Sequence, residues 1–202
     1  MDSLHHYALA AGLAWASGIR LYAAVCLAGL LGRLHAIELP AGLLLLQDSW
    51  VIAVAGALAL GEFLADKIPA FDSIWDGVHT FIRIPAGTLL AWGVFKDSAP
   101  EMQLAAALVG GAITSGTHFA KAGTRALINT SPEPFSNWSA SLTEDVSLLG
   151  GLYLVWQYPL AFLLLLLAFL LFVVWLIPKL WRAIRSLFHH ARRLVDSDPE
   201  TR

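Results

Sequence analysis

The stretch from Gly61 to Arg83 carries the side chains of this sequence that are best suited to chemistry. Between two segments apolar enough to enter lipid it holds four carboxylates, a histidine, a lysine and an arginine: Glu62, Asp66, Lys67, Asp72, Asp76, His79 and Arg83. An ionisable group at membrane depth costs roughly 2.5–3.5 kcal/mol on insertion scales, so it needs a partner, water or a function. The sequence therefore predicts a polar site in this region.

The spacing of the acidic residues indicates what such a site could bind. Glu62 and Asp66 are four residues apart and share one face of a helix. If residues 71–81 are also helical, Asp72, Asp76 and His79 share a face. Carboxylates and histidine bind divalent cations and also form proton relays. We therefore predict that these five acidic and histidine residues bind a small ion. If the ion is a divalent metal, Asp72, Asp76 and His79 would be its ligands, and no other cofactor is predicted. The alternative is a set of interfacial ion pairs in which Asp72 caps a short helix.

The composition indicates a membrane protein. Of the 202 residues, 57% are hydrophobic and 14% are charged, whereas soluble chains have about 25% charged residues. The formal net charge of −2 provides no extended basic surface, which argues against a nucleic-acid partner. We predict one all-α integral membrane domain over residues 1–178, with the lipid bilayer as its surroundings.

Five apolar segments are candidates for membrane helices, since a span needs about 20 mostly apolar residues. They are Tyr7–Leu31, Trp50–Ala65, Val78–Phe95, Met102–Ala122 and Val146–Ile177. The last is too long for one untilted span and contains Pro159, so it is either two spans joined by a turn at 157–159 or one kinked helix. The sequence thus predicts five to six transmembrane or re-entrant helices.

Beyond Pro178 the pattern changes. In residues 179–195, apolar positions recur at helical spacing among five basic residues, which predicts a C-terminal basic amphipathic helix in the headgroup plane. Basic residues next to the last span favour a cytoplasmic C-terminus. Residues 196–202 are predicted to be disordered.

A weak internal repeat relates residues of about 50–95 to those of about 102–158. The run 61–66 matches 116–121, and 73–87 matches 136–150 in its serine, tryptophan, threonine and glycine. Transporters are often built from repeats with the binding site between them. The alternative is a chance match in a compositionally biased chain.

The polar residues of the second copy complete the predicted site. They are His118, Lys121, Arg125, Asn129, Glu133, Asn137, Glu144 and Asp145. Because the first copy is acidic and the second more basic, we expect Lys121 and Arg125 to pair with carboxylates of the first copy. The expected partners are Asp66, Asp72 and Asp76. Glu144 follows Thr143 and is predicted to be a charge in the first turn of the fifth span, and residues 129–138 an irregular loop.

Arg20 lies within the first apolar segment, where an unpaired guanidinium is unfavourable. Either Gly18 breaks the helix and places Arg20 at a re-entrant turn, or Arg20 pairs with a carboxylate such as Glu62. Both alternatives bring it to the polar site, so it joins the predicted counter-ion or gating residues. These are Arg20, Lys67, Arg83, Lys121 and Arg125.

Four motifs carry a resemblance to a known family. They are GEFLADKIP (61–69), WDGVHTFIR (75–83), GTHFAKAGTR (116–125) and NTSPEPFSNW (129–138). Together they resemble the bacterial membrane-protein family named domain of unknown function 4126, over about residues 8–175. The resemblance implies a bacterial inner-membrane protein with several spans and brings no established activity.

These patterns favour a small transporter or channel-like protein for a small ion or small molecule, with a cation preferred. One alternative is a non-transporting membrane scaffold whose ion pairs hold the repeats together. Another is an enzyme acting on a lipid headgroup, which is disfavoured because no nucleophile motif or phosphate-binding loop occurs. We therefore predict no enzymatic activity, and a homodimer is compatible with a chain of this size.

Overall fold

The computed structural model describes residues 3–130 and 134–196, with side chains except at 69, 70, 134 and 187–196, and is all-helical over these residues. The elements are α1 (Ser3–Arg33), a 3-10 helix (Ala41–Gln47), α2 (Ser49–Ala65), α3 (Pro69–Val94), α4 (Pro100–Ile128), α5 (Pro134–Gln157) and α6 (Pro159–Asp196). The helices α3 to α6 each begin with proline, which suits the first helical position because its missing N–H would have no intrahelical acceptor.

By length and composition alone, two helices could cross a membrane, namely α1, counted through its interruption at Arg20, and residues Pro159–Ser186 of α6. The 3-10 helix and α2 form a third candidate if this pair, bent by 69°, is counted as one span. Only 17% of the apolar window of α6 is buried within the protein, which suits a helix in contact with lipid. The predicted five to six spans are not confirmed, since α3, α4 and α5 carry charged residues along their length.

The helix α1 changes direction at Arg20, whose φ of −145° and ψ of 72° are not helical. The ring of Tyr7, before the break, contacts Phe95. After the break, Gly32 packs against Leu39, and the next residues, 40 and 41, line a cavity together with Tyr7. Both ends of α1 therefore lie at the same end of the bundle, and Arg20 is at a re-entrant turn. Of the two alternatives for this residue, the turn is present, and so is the pairing with a carboxylate.

Gly18 does not break α1, contrary to one expectation from the sequence. A methyl group at Gly18 would lie 2.8 Å from the Thr114 carbonyl oxygen and 3.0 Å from the His118 nitrogen. The glycine is needed for the close approach of α1 to α4, because any side chain would collide with the α4 backbone.

Three chain reversals meet at one end of the bundle, which we call the network end. They are the turn at Arg20, the α2–α3 connection at 66–68, and the end of α4 at 129–130. The opposite end contains Tyr7, Phe95 and Met102, which line one cavity. Between the two ends, the first half of α1 is largely buried among α3, α4, α5 and α6.

Two boundaries differ from those read off the sequence, and a third, which the sequence left open, is decided. The segment 129–138 is not an irregular loop throughout, because α5 begins at Pro134. The long apolar segment is divided at Tyr158 into α5 and α6, as in the two-helix alternative. Residues 179–195 do not form a separate helix, because α6 continues through Pro178.

Packing explains why α6 continues past its proline. A proline inside a helix removes one hydrogen bond and crowds the preceding turn. Leu180, in the next turn, is buried against Gly123 of α4, and this contact holds α6 in place. The tail residues 197–202, and with them most of the predicted disordered segment, lie outside the described residues; Asp196 is the last residue of α6.

Candidate functional site

A network of buried charges lies at the network end. Its members, which we call the charge network, are Arg20, Glu62, Asp66, Asp76, Arg83, Lys121, Arg125, Glu144 and Asp145. Side-chain exposure rises from 0% at Glu62 to 14% at Glu144 and 33% at Asp145. The network therefore runs from the protein interior to the surface beside α5.

The deepest part of the charge network is centred on Arg83 of α3. Its guanidinium forms an ion pair with Glu62 of α2. It also lies 3.0 Å from Oδ1 of Asp76, which is on the same helix, α3. At about 1.5 Å per residue, Arg83 is roughly 16 Å along α3 from its end at Val94. A charge at that depth is stable only because two carboxylates compensate it.

Lys121 of α4 connects the deep and the shallow parts. Its Nζ lies 3.2 Å from Glu144, 3.6 Å from Glu62 and 3.7 Å from Asp76. It also donates a hydrogen bond of 2.9 Å to the carbonyl oxygen of Ile19. That oxygen is available because the helix is interrupted at Arg20, so the backbone break is itself part of the site.

Arg125, one turn further along α4, connects α5 to the C-terminal end of α2. Its Nε donates to Glu144 Oε1 at 2.8 Å and its Nη1 donates to the carbonyl and side-chain oxygens of Asn137, both at 3.1 Å. Its Nη2 lies 3.4 Å from Asp66 Oδ2. The expected pairing of Lys121 and Arg125 with acidic residues of the first copy is confirmed for Asp76 and Asp66.

Arg20 pairs with Asp66 and, through Nε at 2.9 Å, with Asp145. The expected pairing with a carboxylate is therefore formed, with these two residues in place of Glu62. Ser141 of α5 organises this corner. Its hydroxyl oxygen accepts hydrogen bonds from Arg20 Nη2 and from Lys67 Nζ, each at 2.9 Å. A hydroxyl has two lone pairs, so one serine ties α1 and the α2–α3 connection to α5.

His118 belongs to the site but not as an ion-pair partner. Arg83 can only donate, and its Nη1 is 3.3 Å from His118 Nδ1. In the tautomer with the proton on Nε2, Nδ1 accepts from Arg83 and Nε2 donates to Thr80 Oγ1 at 2.7 Å, while Thr80 donates to the Asp76 carbonyl at 2.9 Å. This chain fixes a neutral histidine beside the deepest arginine.

Asp72 lies at the outer margin of the site, in the first turn of α3. It is about 33 Å along the helix from Val94, beyond the ~30 Å thickness of a hydrocarbon layer. Its Oδ2 accepts a hydrogen bond of 2.8 Å from Asn129. Burial raises the pKa of the Asp72 carboxyl to about 6, and the hydrogen bond from Asn129 opposes this shift.

The structure does not assemble the metal ligands considered from the sequence. His79 Nδ1 is 2.7 Å from the Trp75 carbonyl and its ring stacks on Trp75, while Asp76 faces Arg83 and Asp72 faces Asn129. Among the described residues, no group of three or more histidine, cysteine or acidic side chains is arranged to hold a metal ion. The i, i+4, i+7 spacing correctly predicted that Asp72, Asp76 and His79 share one side of α3. The two carboxylates, however, already pair with an arginine and with an asparagine amide.

The prediction from the sequence was wrong for one site residue, Glu144, and missed another, Ser141. Glu144 is not a first-turn charge, because α5 begins ten residues earlier at Pro134 and places Glu144 opposite Arg125 and Lys121. Ser141 was missed, although it precedes Glu144 and Asp145 by three and four residues and so shares their helix face. Glu133 lies outside the described residues.

One comparison with known proteins identifies the family. The family model described as "Domain of unknown function (DUF4126)" matches residues 7–179. The chain belongs to this family. The resemblance carried by the four sequence motifs is thereby confirmed. No curated protein and no solved structure matches the chain, so membership brings no activity to this DUF4126 protein and its function must be argued from the charge network.

Proposed function

We propose that this DUF4126 protein moves a small cation across a membrane and that the charge network is its binding site and gate. The observation that carries the proposal is the graded burial of the network. Ionisable groups inside membrane proteins are costly to bury and typically mark ion pathways or proton relays. Here they form a continuous series from a fully buried Glu62 to a partly exposed Asp145.

In this proposal a cation enters where the network is exposed, at Asp145 and Glu144, and displaces a basic side chain from a carboxylate. Lys121 is suited to that exchange because three carboxylates lie within 3.2–3.7 Å of its Nζ. A shift of the ammonium between these neighbours needs little movement. The guanidinium groups of Arg20 and Arg125 would neutralise the carboxylates when no cation is bound.

We extend the proposal to the surroundings of the protein. A bacterial inner membrane with five to six spanning or re-entrant helices fits the apolar outer surface, with α3 to α5 shielding their charged residues from lipid. The exposed Arg182 and Arg185 of α6 favour a cytoplasmic location for the network end under the positive-inside rule. Transport, without catalysis, is the activity proposed.

The test is cation flux in liposomes that contain the purified protein. A pH-sensitive dye and ion-sensitive dyes would report H⁺, Na⁺ and K⁺ in parallel for the wild type, Asp76→Asn and Asp97→Asn. Asp97 is an exposed acid next to the opposite end, so it controls for the loss of one charge. We expect flux in the wild type and in Asp97→Asn, and its loss in Asp76→Asn at equal insertion. Unchanged flux in Asp76→Asn would overturn the proposal.

A membrane scaffold is the second candidate, and one observation favours it. Every carboxylate of the charge network lies within 4 Å of at least one arginine or lysine, as expected where ion pairs hold helices together. The scaffold predicts no flux of any cation by the wild type and a marked loss of stability in Asp76→Asn. The same set of proteins therefore separates the two candidates.

A further inference from the structure

A cavity of about 330 Å³ lies between α4, α5 and α6, next to the shallow part of the charge network. Glu144 and Lys121 form part of its polar wall, and Phe169, Phe172 and Leu176 of α6 form its apolar wall. Phe172 is 51% exposed, so the cavity opens on the outer surface of the bundle. A ligand could therefore enter sideways from the lipid.

Most of the polar side chains that line the cavity present hydrogen-bond acceptors, while the hydroxyl of Ser147 can also donate. Three threonines line it, and each already donates its hydroxyl proton to the carbonyl four residues earlier at 2.8 Å: Thr117 to Ile113, Thr124 to Ala120 and Thr143 to Ser139. Their oxygen lone pairs remain for a donor. Glu144 Oε2 is buried and lies 3.2 Å from Lys121 Nζ, so a ligand cation would reach it by displacing that ammonium group.

The basic residues on the same wall pair with Glu144 and with neighbouring oxygen atoms. Lys121 donates to the Ile19 carbonyl, and Arg125 donates to Glu144 and Asn137. Both are almost fully buried, whereas the carboxylate of Glu144 is 14% exposed. Glu144 is therefore the most exposed charged side chain of the cavity wall, and the complementary ligand is a cation that exchanges with Lys121 at this carboxylate.

The apolar wall defines the rest of the ligand. Phenylalanine rings attract cations through their faces, and they also pack against alkyl and aryl groups. At about 30 Å³ for each water, a volume of this size equals roughly eleven waters, within the range of small-molecule sites. A ligand of about a dozen non-hydrogen atoms would fill it.

We infer that this cavity binds an amphiphilic ammonium ion, with the ammonium group at Glu144 and the threonine oxygens and the apolar body against Phe169 and Phe172. This names the substrate class of the proposed cation transporter and so rests on the proposed function. The ion would enter from the lipid between α5 and α6. Its ammonium group would then compete with Lys121 and Arg125 for Glu144, which connects binding in the cavity to the charge network.

The test compares three probes that share a phenylalkyl body and differ in the head group: 4-phenylbutylammonium, 4-phenylbutanol and 4-phenylbutyrate. Binding to the purified full chain in detergent would be measured by calorimetric titration. We expect the ammonium to bind at least tenfold more tightly than the carboxylate, with the alcohol between them. Equal affinities for the three probes would overturn the inference, because the partition of the phenylalkyl body alone would then explain binding.

Two variants locate the site. Ser147→Trp places an indole in the cavity and Leu149→Trp places one on the exposed face of the same helix. We expect at least tenfold weaker ammonium binding in the first and unchanged binding in the second. Glu144→Gln should remove the preference for ammonium over alcohol while the alcohol still binds, a change in selectivity that a general loss of stability would not produce. Equal binding by the two tryptophan variants would contradict the inference.

The outcome for this site can be separated from that for transport. Ammonium binding without any cation flux in liposomes would leave the site standing and remove the transporter. Flux of an inorganic cation that Asp76→Asn abolishes, with no head-group preference in the titrations, would leave the transporter standing and remove this substrate class.

Discussion

Removing the carboxylate of Glu62 tests whether the deep part of the charge network depends on complete pairing. In Glu62→Gln, Arg83 would remain fully buried and, among the described residues, keep only Asp76 as an acidic partner within 4 Å. Breaking a buried ion pair by removing one partner costs about 3–5 kcal/mol. At about 1.4 kcal/mol for each factor of ten, this weakens folding by roughly two to three and a half orders of magnitude.

The matched control is Asp145→Asn, the same change from acid to amide at a carboxylate that is 33% exposed. Solvent screens such a pair, so its loss should cost less than about 1 kcal/mol. Both variants would be unfolded with increasing sodium dodecyl sulfate from mild micelles and followed by circular dichroism. If Glu62→Gln costs no more than Asp145→Asn, the reasoning from burial is refuted.

The double variant Glu62→Gln/Arg83→Met adds a second test of the same reasoning. Replacing both members of a buried pair by uncharged residues is often much less harmful than removing one. We expect the double variant to recover part of the stability lost in Glu62→Gln, although Asp76 then keeps only Lys121 within 4 Å. A double variant that is no more stable than Glu62→Gln alone would contradict an energetically coupled pair.

Two further predictions concern packing and pH. A methyl group at Gly87 would lie 2.9 Å from Thr114 Cγ2, so Gly87→Ala should destabilise the protein by about 1–3 kcal/mol. A methyl group at Gly77 would have nothing within 4 Å, so Gly77→Ala should stabilise α3 by up to about 1 kcal/mol. The same unfolding assay measures both variants, and equal effects would contradict the packing argument. The pKa of Asp72 is raised in the folded state from 3.8 to about 6, so the folded state binds the proton of this carboxyl more tightly than the unfolded state does. The contribution of the protonated Asp72 to the free energy of unfolding is therefore fully present below pH 4 and is lost as the pH rises through about 6. Asp72→Asn should flatten the dependence of stability on pH between 4 and 7, and an unchanged slope would refute the assignment.

Several features of the site could be read from the sequence. Each of the acidic residues Glu62, Asp66, Asp72 and Asp76 is buried, as expected for charges inserted between apolar segments. The family followed from short motifs. The pairing of the acidic first copy with Lys121 and Arg125 followed from the opposite charges of the two copies.

Other features could not be read, because they depend on distances between helices. Periodicity places Asp72, Asp76 and His79 on one side of α3, but whether that side meets a metal ion or an arginine depends on the neighbouring helices. Arg83 is part of the same helix as Asp76 and is close enough to form an ion pair with its carboxylate. The turn at Arg20 and its pairing with a carboxylate were alternatives in the sequence, and the packed helices contain both.

The sequence by itself determined that the chain is helical, apolar enough for a membrane, and equipped with a concentrated set of opposite charges. Hydrophobicity and residue type suffice for this, because burial free energy depends on composition and local spacing. Only the tertiary structure decided which charges meet, that the break in α1 frees the Ile19 carbonyl for Lys121, and that a cavity opens beside Glu144. Ion pairs and hydrogen bonds act over about 3–4 Å, and the contacts between distant segments that bring atoms this close arise only when the helices pack.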